Sequence, residues 1–263
     1  ALKAPPAAKP GLHVFDDWDL AELAQYIDWT PFFRAWELAG NFPAILEDKV
    51  VGESATSLYA DAQGMLDRIV AEKWLTARGV AALWPCHRSG DDVMVTLEHH
   101  EHHRSPDGAA IPDGFHIPDL DRGHDVTVRL PFLRQQIAKR EGRANMCLAD
   151  FVDPAGDWIG GFAVAIHGIE PHLARFKADV DDYNDILLKA LADRLAEAFA
   201  ERLHAHVRTD LWGYAHGEQL TNEALIREQY RGIRPAPGYP ACPEHSLKRQ
   251  LFDMLGAEER AGI

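Results

Sequence analysis

The chain lacks the short patterns that most directly announce catalysis. It has no GxGxxG, no P-loop, no GxSxG and no HExxH. No nucleophile and base lie close together in sequence, which argues against a conventional hydrolase, although a triad assembled from distant segments stays open. Cysteine is scarce. Cys86, Cys147 and Cys242 are widely spaced, odd in number and without any CxxC. That disfavours a disulfide framework and a zinc ribbon, and fits a reducing cytoplasm. No apolar run approaches the roughly 18–20 residues of a membrane span. Basic charge is also short: 27 Lys+Arg stand against 41 Asp+Glu, a formal charge of −14 with His neutral. A surface so acidic disfavours nucleic acid and anionic membranes as partners.

What is present is an ordinary globular composition, 46% hydrophobic and 26% charged over 263 residues. A chain this long buries roughly 70–75% of its unfolded surface and needs no metal or disulfide staple. Residues 1–14 open with Ala, Pro and Lys and read as an interdomain linker; residues 15–263 read as one domain. Asp19 is the expected N-cap of a short helix to Tyr26. Thr30-Pro31 is expected to open a second helix, carrying Phe32, Phe33 and Trp36, as N-cap and first-turn proline. Helical spacing runs from Val50 to Trp74. The apolar run from Gly79 to Pro85, a polar turn and alternating Val93–Leu97 predict a hairpin. Strands are expected at Val126–Leu130 and Trp158–Ile166, the latter with Gly160-Gly161 where another backbone approaches, and a short helix over Phe132–Glu141.

From Pro171 to about Asp210 runs the longest element, with Leu187, Leu191, Leu195, Phe199, Leu203 and Val207 in an i, i+4 stripe. A shorter helix is expected over Asn222–Tyr230 and a last one from Pro243-Glu244 through Leu255. Strands and helices mix without a βαβ rhythm. The fold class is therefore α+β: a twisted antiparallel sheet with flanking helices, one of them long and in the C-terminal half.

The most unusual segment is Arg234 to His245, where prolines forbid regular structure. A loop stiffened in this way loses little entropy on binding a ligand. Arg234 offers a planar fork for a carboxylate, Gly238 a bare backbone, and Tyr239 a ring and a hydroxyl. From composition alone, a rigid surface turn with a solvated arginine is the favoured reading of the segment.

Several blocks point further. Arg234-Pro-Ala-Pro-Gly238-Tyr239, followed by Pro-Ala-Cys-Pro-Glu-His245, resembles the signature loop of the C-terminal activation domain of cobalamin-dependent methionine synthase. Tyr26-Ile-Asp28-Trp-Thr-Pro-Phe-Phe33 looks like that family's opening segment. Asp181-Asp-Tyr-Asn184 and the run from Lys189 to Phe199 resemble its long helix, and Leu225-Ile-Arg-Glu228 leads into the loop as the family does.

The resemblance, over residues 15–263, implies a domain that binds S-adenosylmethionine. It implies that the methyl is presented to a cobalamin on a neighbouring domain once a flavodoxin-type donor has reduced the inactive cobalt. It implies ligand contacts from Asp28, Arg234, Ala236, Gly238 and Tyr239, with Glu228 adding negative potential near the sulfonium. It also implies a cytoplasmic methyltransferase whose isolated domain has no turnover. The family continues past Ile263 into a stretch carrying aromatic ligand contacts, so the domain is expected to lack its C-terminal portion here. Without the resemblance, Asp28 reads as a helix cap or solvated acid and Glu228 as an exposed helix residue.

Asp193 and Glu197, at i, i+4 on the long helix, are candidates for contact with the cobalamin-carrying domain; a hydrated helix face is the alternative. His99-His100-Glu101-His102-His103, with His116 and His124, suggests a metal. Contiguous histidines define no binding geometry, so residues 98–125 read as a loop insertion and no metal site is expected. A separate S-adenosylmethionine-binding or corrinoid-docking module is the second functional reading. A metal-dependent hydrolase using the His-rich loop is a remote third.

Overall fold

The computed structural model of the chain describes residues 4–97 and 125–263. Five strands form one sheet: β1 (Gly11–Trp18), β2 (Thr76–Ser89), β3 (Asp92–Leu97), β4 (Val126–Pro131) and β5 (Asp157–His167). All of their pairings are antiparallel. β2 is the axis. Ala81 pairs with His13 of β1 and Phe162 of β5, whereas Cys86 pairs with Val95 of β3 and Asp157 of β5. β1 and β3 therefore lie end to end along one edge of β2, and β5 takes the other.

The apolar run in β2 has a direct cause: both faces of the strand are covered. Ala77, Ala81 and Leu83 face one hydrophobic cluster, Val80, Ala82, Trp84 and Cys86 a second. The first is closed by α1 (Leu20–Ala24), α2 (Trp29–Ala35), α3 (Gly52–Ala71), α4 (Glu170–Ala178) and α5 (Asp182–His206). The second is closed by residues 147–152, α7 (Leu247–Leu255) and α8 (Ala257–Arg260). Between these groups, α6 (Asn222–Ile226) leads toward the proline-rich loop.

The i, i+4 stripe of α5 is buried from Leu187 to Val207. The long element expected from Pro171 is interrupted, however. α4 stops at Ala178, Val180 takes a positive φ of 54°, and Asp181 caps α5 by accepting from the Asn184 amide at 3.0 Å. Past His206 the helix widens into a π turn over Val207–Leu211.

Three local expectations are corrected. Asp28, not Thr30, caps α2, its Oδ1 accepting from the Thr30 amide at 3.0 Å. The Thr30 hydroxyl is used elsewhere, accepting from the Phe42 amide at 3.2 Å. Residues 132–141 are irregular, not helical. Arg134 there is drawn to Asp91 and Asp150, and Leu133 and Ile137 stay exposed, so a helix would gain no apolar face. Finally, side chains, not a backbone, crowd Gly161. A Cβ there would sit 2.6 Å from Leu251 Cδ1 and 3.2 Å from Trp84.

The segment read as a linker engages the domain. Gly11–Val14 belong to β1, the Ala8 and Lys9 amides donate to the Trp212 and Leu211 carbonyls, and Trp212 Nε1 donates to the Pro5 carbonyl. The expected insertion at 98–125, with its histidines, falls almost wholly outside the described residues.

Candidate functional site

The C-terminal end of α5 and the π turn that follows it carry three buried polar residues at i, i+3 and i+7: Glu201 and His204 on the helix and Arg208 in the turn. Their spacing puts them on one face. The chain that returns over this face, from Gly213 to Arg234, supplies the partners.

Arg208 is fully buried, and its guanidinium meets the Glu218 carboxylate at 2.5 Å. Its Nη1 lies 2.6 Å from His204 Nδ1. Arginine has only donors, so the imidazole accepts at Nδ1 and carries its proton on Nε2. Burial first, then the positive charges of Arg208 and Arg234, lower the His204 pKa to about 2, and the ring is neutral. The ring of Tyr230 lies 4.2 Å beneath the Arg208 guanidinium and 4.8 Å edge-on from His204. Tyr214 holds the same segment further along, its hydroxyl donating to the Arg231 carbonyl at 3.2 Å.

Arg234 ends this returning segment and pairs with Glu201, Nη2 to Oε2, at 2.9 Å. Desolvation raises the Glu201 pKa, Arg234 and Arg208 pull it down, and the Glu228 charge adds a small upward push. Glu201 Oε1 and Arg234 Nε are buried without hydrogen-bond partners.

Beyond Arg234 the backbone is tied into a tight turn. The Tyr239 amide donates to the Ala236 carbonyl at 3.0 Å, Cys242 to Tyr239 at 2.9 Å, and Gly238 to Cys242 at 2.7 Å. Gly238 has φ +108°, and a Cβ there would stand 2.5 Å from the His245 ring. Glycine is therefore required both by the backbone angle and by the ring lying against it. Ala236, Gly238 and Tyr239 are all exposed.

The expected site residues are thus distributed as follows. Arg234, Ala236, Gly238 and Tyr239 share one turn, and Glu228 is exposed on its approach, at a positive φ of 54°. Asp28 is half-buried and occupied as a helix cap; among the described residues no hydrogen bond or ion pair joins it to the turn. Its segment is nevertheless tied to the same region, because Asn222 Nδ2 of α6 donates to the Ile27 carbonyl at 3.1 Å. Asp193 and Glu197 are exposed on α5, two turns and one turn before Glu201, and Asp193 pairs with the adjacent Arg194 at 2.7 Å.

Sequence reasoning missed Glu201, His204, Arg208, Glu218 and Tyr230. A signal existed for the first three: polar residues at i, i+3 and i+7 beside an apolar stripe. The Glu218 and Tyr230 partners carried none.

A groove of about 520 Å³ lies nearby, between Tyr26, Arg202, Thr209 and residues 218–221. Among the described residues no cluster of three or more His, Cys, Asp or Glu could hold a metal ion, and no helix is long and apolar enough to cross a membrane. The His99–His103 run lies outside that description.

Comparison with known proteins bears on this arrangement. The family described as vitamin B12 dependent methionine synthase, activation domain, matches residues 19–263. A solved structure described as the crystal structure of the MetH reactivation domain bound to AdoHcy is similar over 99% of this chain and 74% of that chain. Its sequence identity is 46% and its TM-score 0.82. The match takes in the capped α2, the polar face of α5 and the turn after Arg234, and the chain belongs to the activation-domain family of the vitamin B12-dependent methionine synthases.

Proposed function

We propose that the turn after Arg234 binds S-adenosylmethionine and holds its methyl for transfer to a cobalamin on a neighbouring domain. The observation that carries this reading is the lopsided Arg234–Glu201 pair. Its carboxylate is the more buried partner, while the arginine is partly exposed at the start of a turn whose residues Ala236, Gly238 and Tyr239 are exposed. The similar domain bound to AdoHcy supports it, because that ligand shares the amino acid, ribose and adenine of S-adenosylmethionine.

The residues present fit such a ligand. Arg234 takes the carboxylate, a charge-assisted contact of about 1.5–3 kcal/mol. Asp28 takes the ammonium or a ribose hydroxyl with the part of its carboxylate not spent on the cap. Ala236, Gly238 and Tyr239 border the sugar and adenine. Glu228 supplies negative potential toward the sulfonium. The groove between Tyr26 and Glu218 is not the site: Arg202 on its wall is paired with Glu22, and Glu218 with Arg208.

Cobalamin supplies the reduced cobalt that accepts the methyl, and the sulfonium is itself a good leaving group. The chain's own task is to orient the ligand and exclude water, which explains the missing triad. Asp193 and Glu197 face outward on α5, where the cobalamin-carrying domain would dock. A flavodoxin-type donor would deliver the electron, in the cytoplasm, and the domain alone would show no turnover.

Calorimetry tests the site. Titration of the full-length protein with S-adenosylmethionine should give saturable heat, and Arg234→Ala should weaken binding by at least about ten-fold. Absence of heat from the unaltered protein would discard the assignment.

A further inference from the structure

We propose that Glu201 is a positioning residue, anchoring the Arg234 guanidinium so that its outward edge meets the ligand's carboxylate. The inference rests on the binding reading above and adds a residue that the turn itself does not contain.

Glu201 lies on α5, 33 residues before Arg234 in sequence, and the returning segment brings the two to 2.9 Å. The pair is unequal. Glu201's side chain is 12% exposed and Arg234's 27%. The carboxylate is the more deeply buried partner, whereas the arginine keeps about a quarter of its side chain exposed. Of the guanidinium's five N–H groups, one on Nη2 goes to Glu201 and the Nε–H is buried and unpartnered. Tyr230 also comes within hydrogen-bonding reach of the guanidinium. The N–H groups taken by neither Glu201 nor Tyr230 are the ones left to meet another carboxylate.

A purely structural ion pair would be expected to satisfy its buried atoms. Here both Glu201 Oε1 and Arg234 Nε are left orphaned. The geometry is better explained as one in which direction matters more than saturation. A free arginine surrenders its rotamer freedom when it binds a ligand, and one already anchored does not.

The surroundings reinforce the anchor. Arg208 is neutralised by Glu218, so it does not capture Glu201. His204 is a neutral ring between them. Tyr230, wedged beneath Arg208, stops the segment carrying Arg234 from sliding along α5.

The test compares two ligands, S-adenosylmethionine and its decarboxylated analogue, which differ only in the carboxylate. E201Q removes the charge while keeping shape and an acceptor oxygen. It should weaken S-adenosylmethionine binding roughly ten-fold, the difference between a charge-assisted and a neutral bond. It should change affinity for the decarboxylated analogue less than about two-fold. E201D, which restores the charge on a shorter arm, should recover part of the loss. Equal weakening of both ligands would reveal a merely structural role and overturn the proposal, as would no effect on either. Where E201Q does not fold, the same two-ligand ratio for E201D decides: a loss confined to S-adenosylmethionine supports the anchor, and a common loss or none refutes it. Arg234→Ala separates the two levels. If it too leaves S-adenosylmethionine binding intact, the site itself is misplaced; if it weakens binding while Glu201 variants do not, only the anchoring role falls.

Discussion

His204 should make the domain sensitive to mild acid, and the size of the effect follows from its surroundings. Its Nδ1 accepts a hydrogen bond from Arg208. Protonation would remove that acceptor and set a second cation against a buried arginine, with Arg234 adding to the repulsion. Burial, Arg208 and Arg234, in that order, take the pKa from the usual 6.5 to about 2. Above pH 6.5 neither the folded nor the unfolded chain protonates this ring, and its contribution to stability is complete. Below 6.5 the unfolded chain takes up a proton that the folded chain refuses. Stability is therefore lost as pH falls from 6.5 toward the folded value.

One proton gives a slope of at most about 1.4 kcal/mol per pH unit, so about 2 kcal/mol is gone by about pH 5. Glu201 acts in the opposite sense. Its raised pKa means that its contribution is complete below the ordinary carboxylate value of 4.5 and declines as pH rises through the raised value. The comparison that isolates His204 is thus between proteins. Urea unfolding of the unaltered protein and of His204→Asn, each at about pH 7 and about pH 5, supplies it. Asparagine keeps an acceptor near the Nδ1 position but does not titrate. It also loses the ring against Tyr230, so the variant starts less stable; the change with pH is the readout. The unaltered protein should lose about 2 kcal/mol more than the variant between the two pH values. Losses equal to within about 0.5 kcal/mol would show that the buried imidazole is not held neutral by its neighbours.

Glu218→Ala should cost about 3–5 kcal/mol in denaturant unfolding, because it leaves a fully buried Arg208 charge without its carboxylate; a loss below about 1 kcal/mol would mean that the pair is not desolvated in solution. Gly238→Ala should cost about 1–3 kcal/mol from its positive φ, with a further loss from contact with the His245 ring. In a His245→Ala background the contact part should vanish and the backbone part remain, measurable as a double-mutant cycle of melting temperatures. Equal costs in both backgrounds would show that the ring does not press on the turn.

Much of the fold was legible because its signals are local. Asp19 caps α1 as its position suggests, accepting from the Ala21 amide at 2.9 Å. The α5 stripe is a period of one helix, and the hairpin of β2 and β3 a pattern around one turn. The α2 cap shows where such reading stops. Asp28 and Thr30 are equally good caps by chemistry, and only the arrival of Phe42, whose amide takes the Thr30 hydroxyl, decides between them. The 132–141 segment was misread for a related reason: Arg134 is claimed by Asp91, 43 residues earlier, and by Asp150.

The turn proposed to bind the ligand was visible as a run of prolines around Arg234, Gly238 and Tyr239, and family likeness suggested what it would hold. Its foundation was not visible. Glu201, Glu218 and Tyr230 are unremarkable until the chain folds back over α5 and brings two carboxylates, two guanidiniums and a neutral imidazole together, with only Arg234 kept partly exposed. By itself the sequence determined the α+β class, the long helix with its buried stripe, and the residues of the turn, since periodicity, caps and proline act between near neighbours. Only the tertiary structure decided which acid meets which base. In water those charges would be solvated and indifferent; burial removes the solvent, and each must then be matched by whatever partner the returning chain delivers.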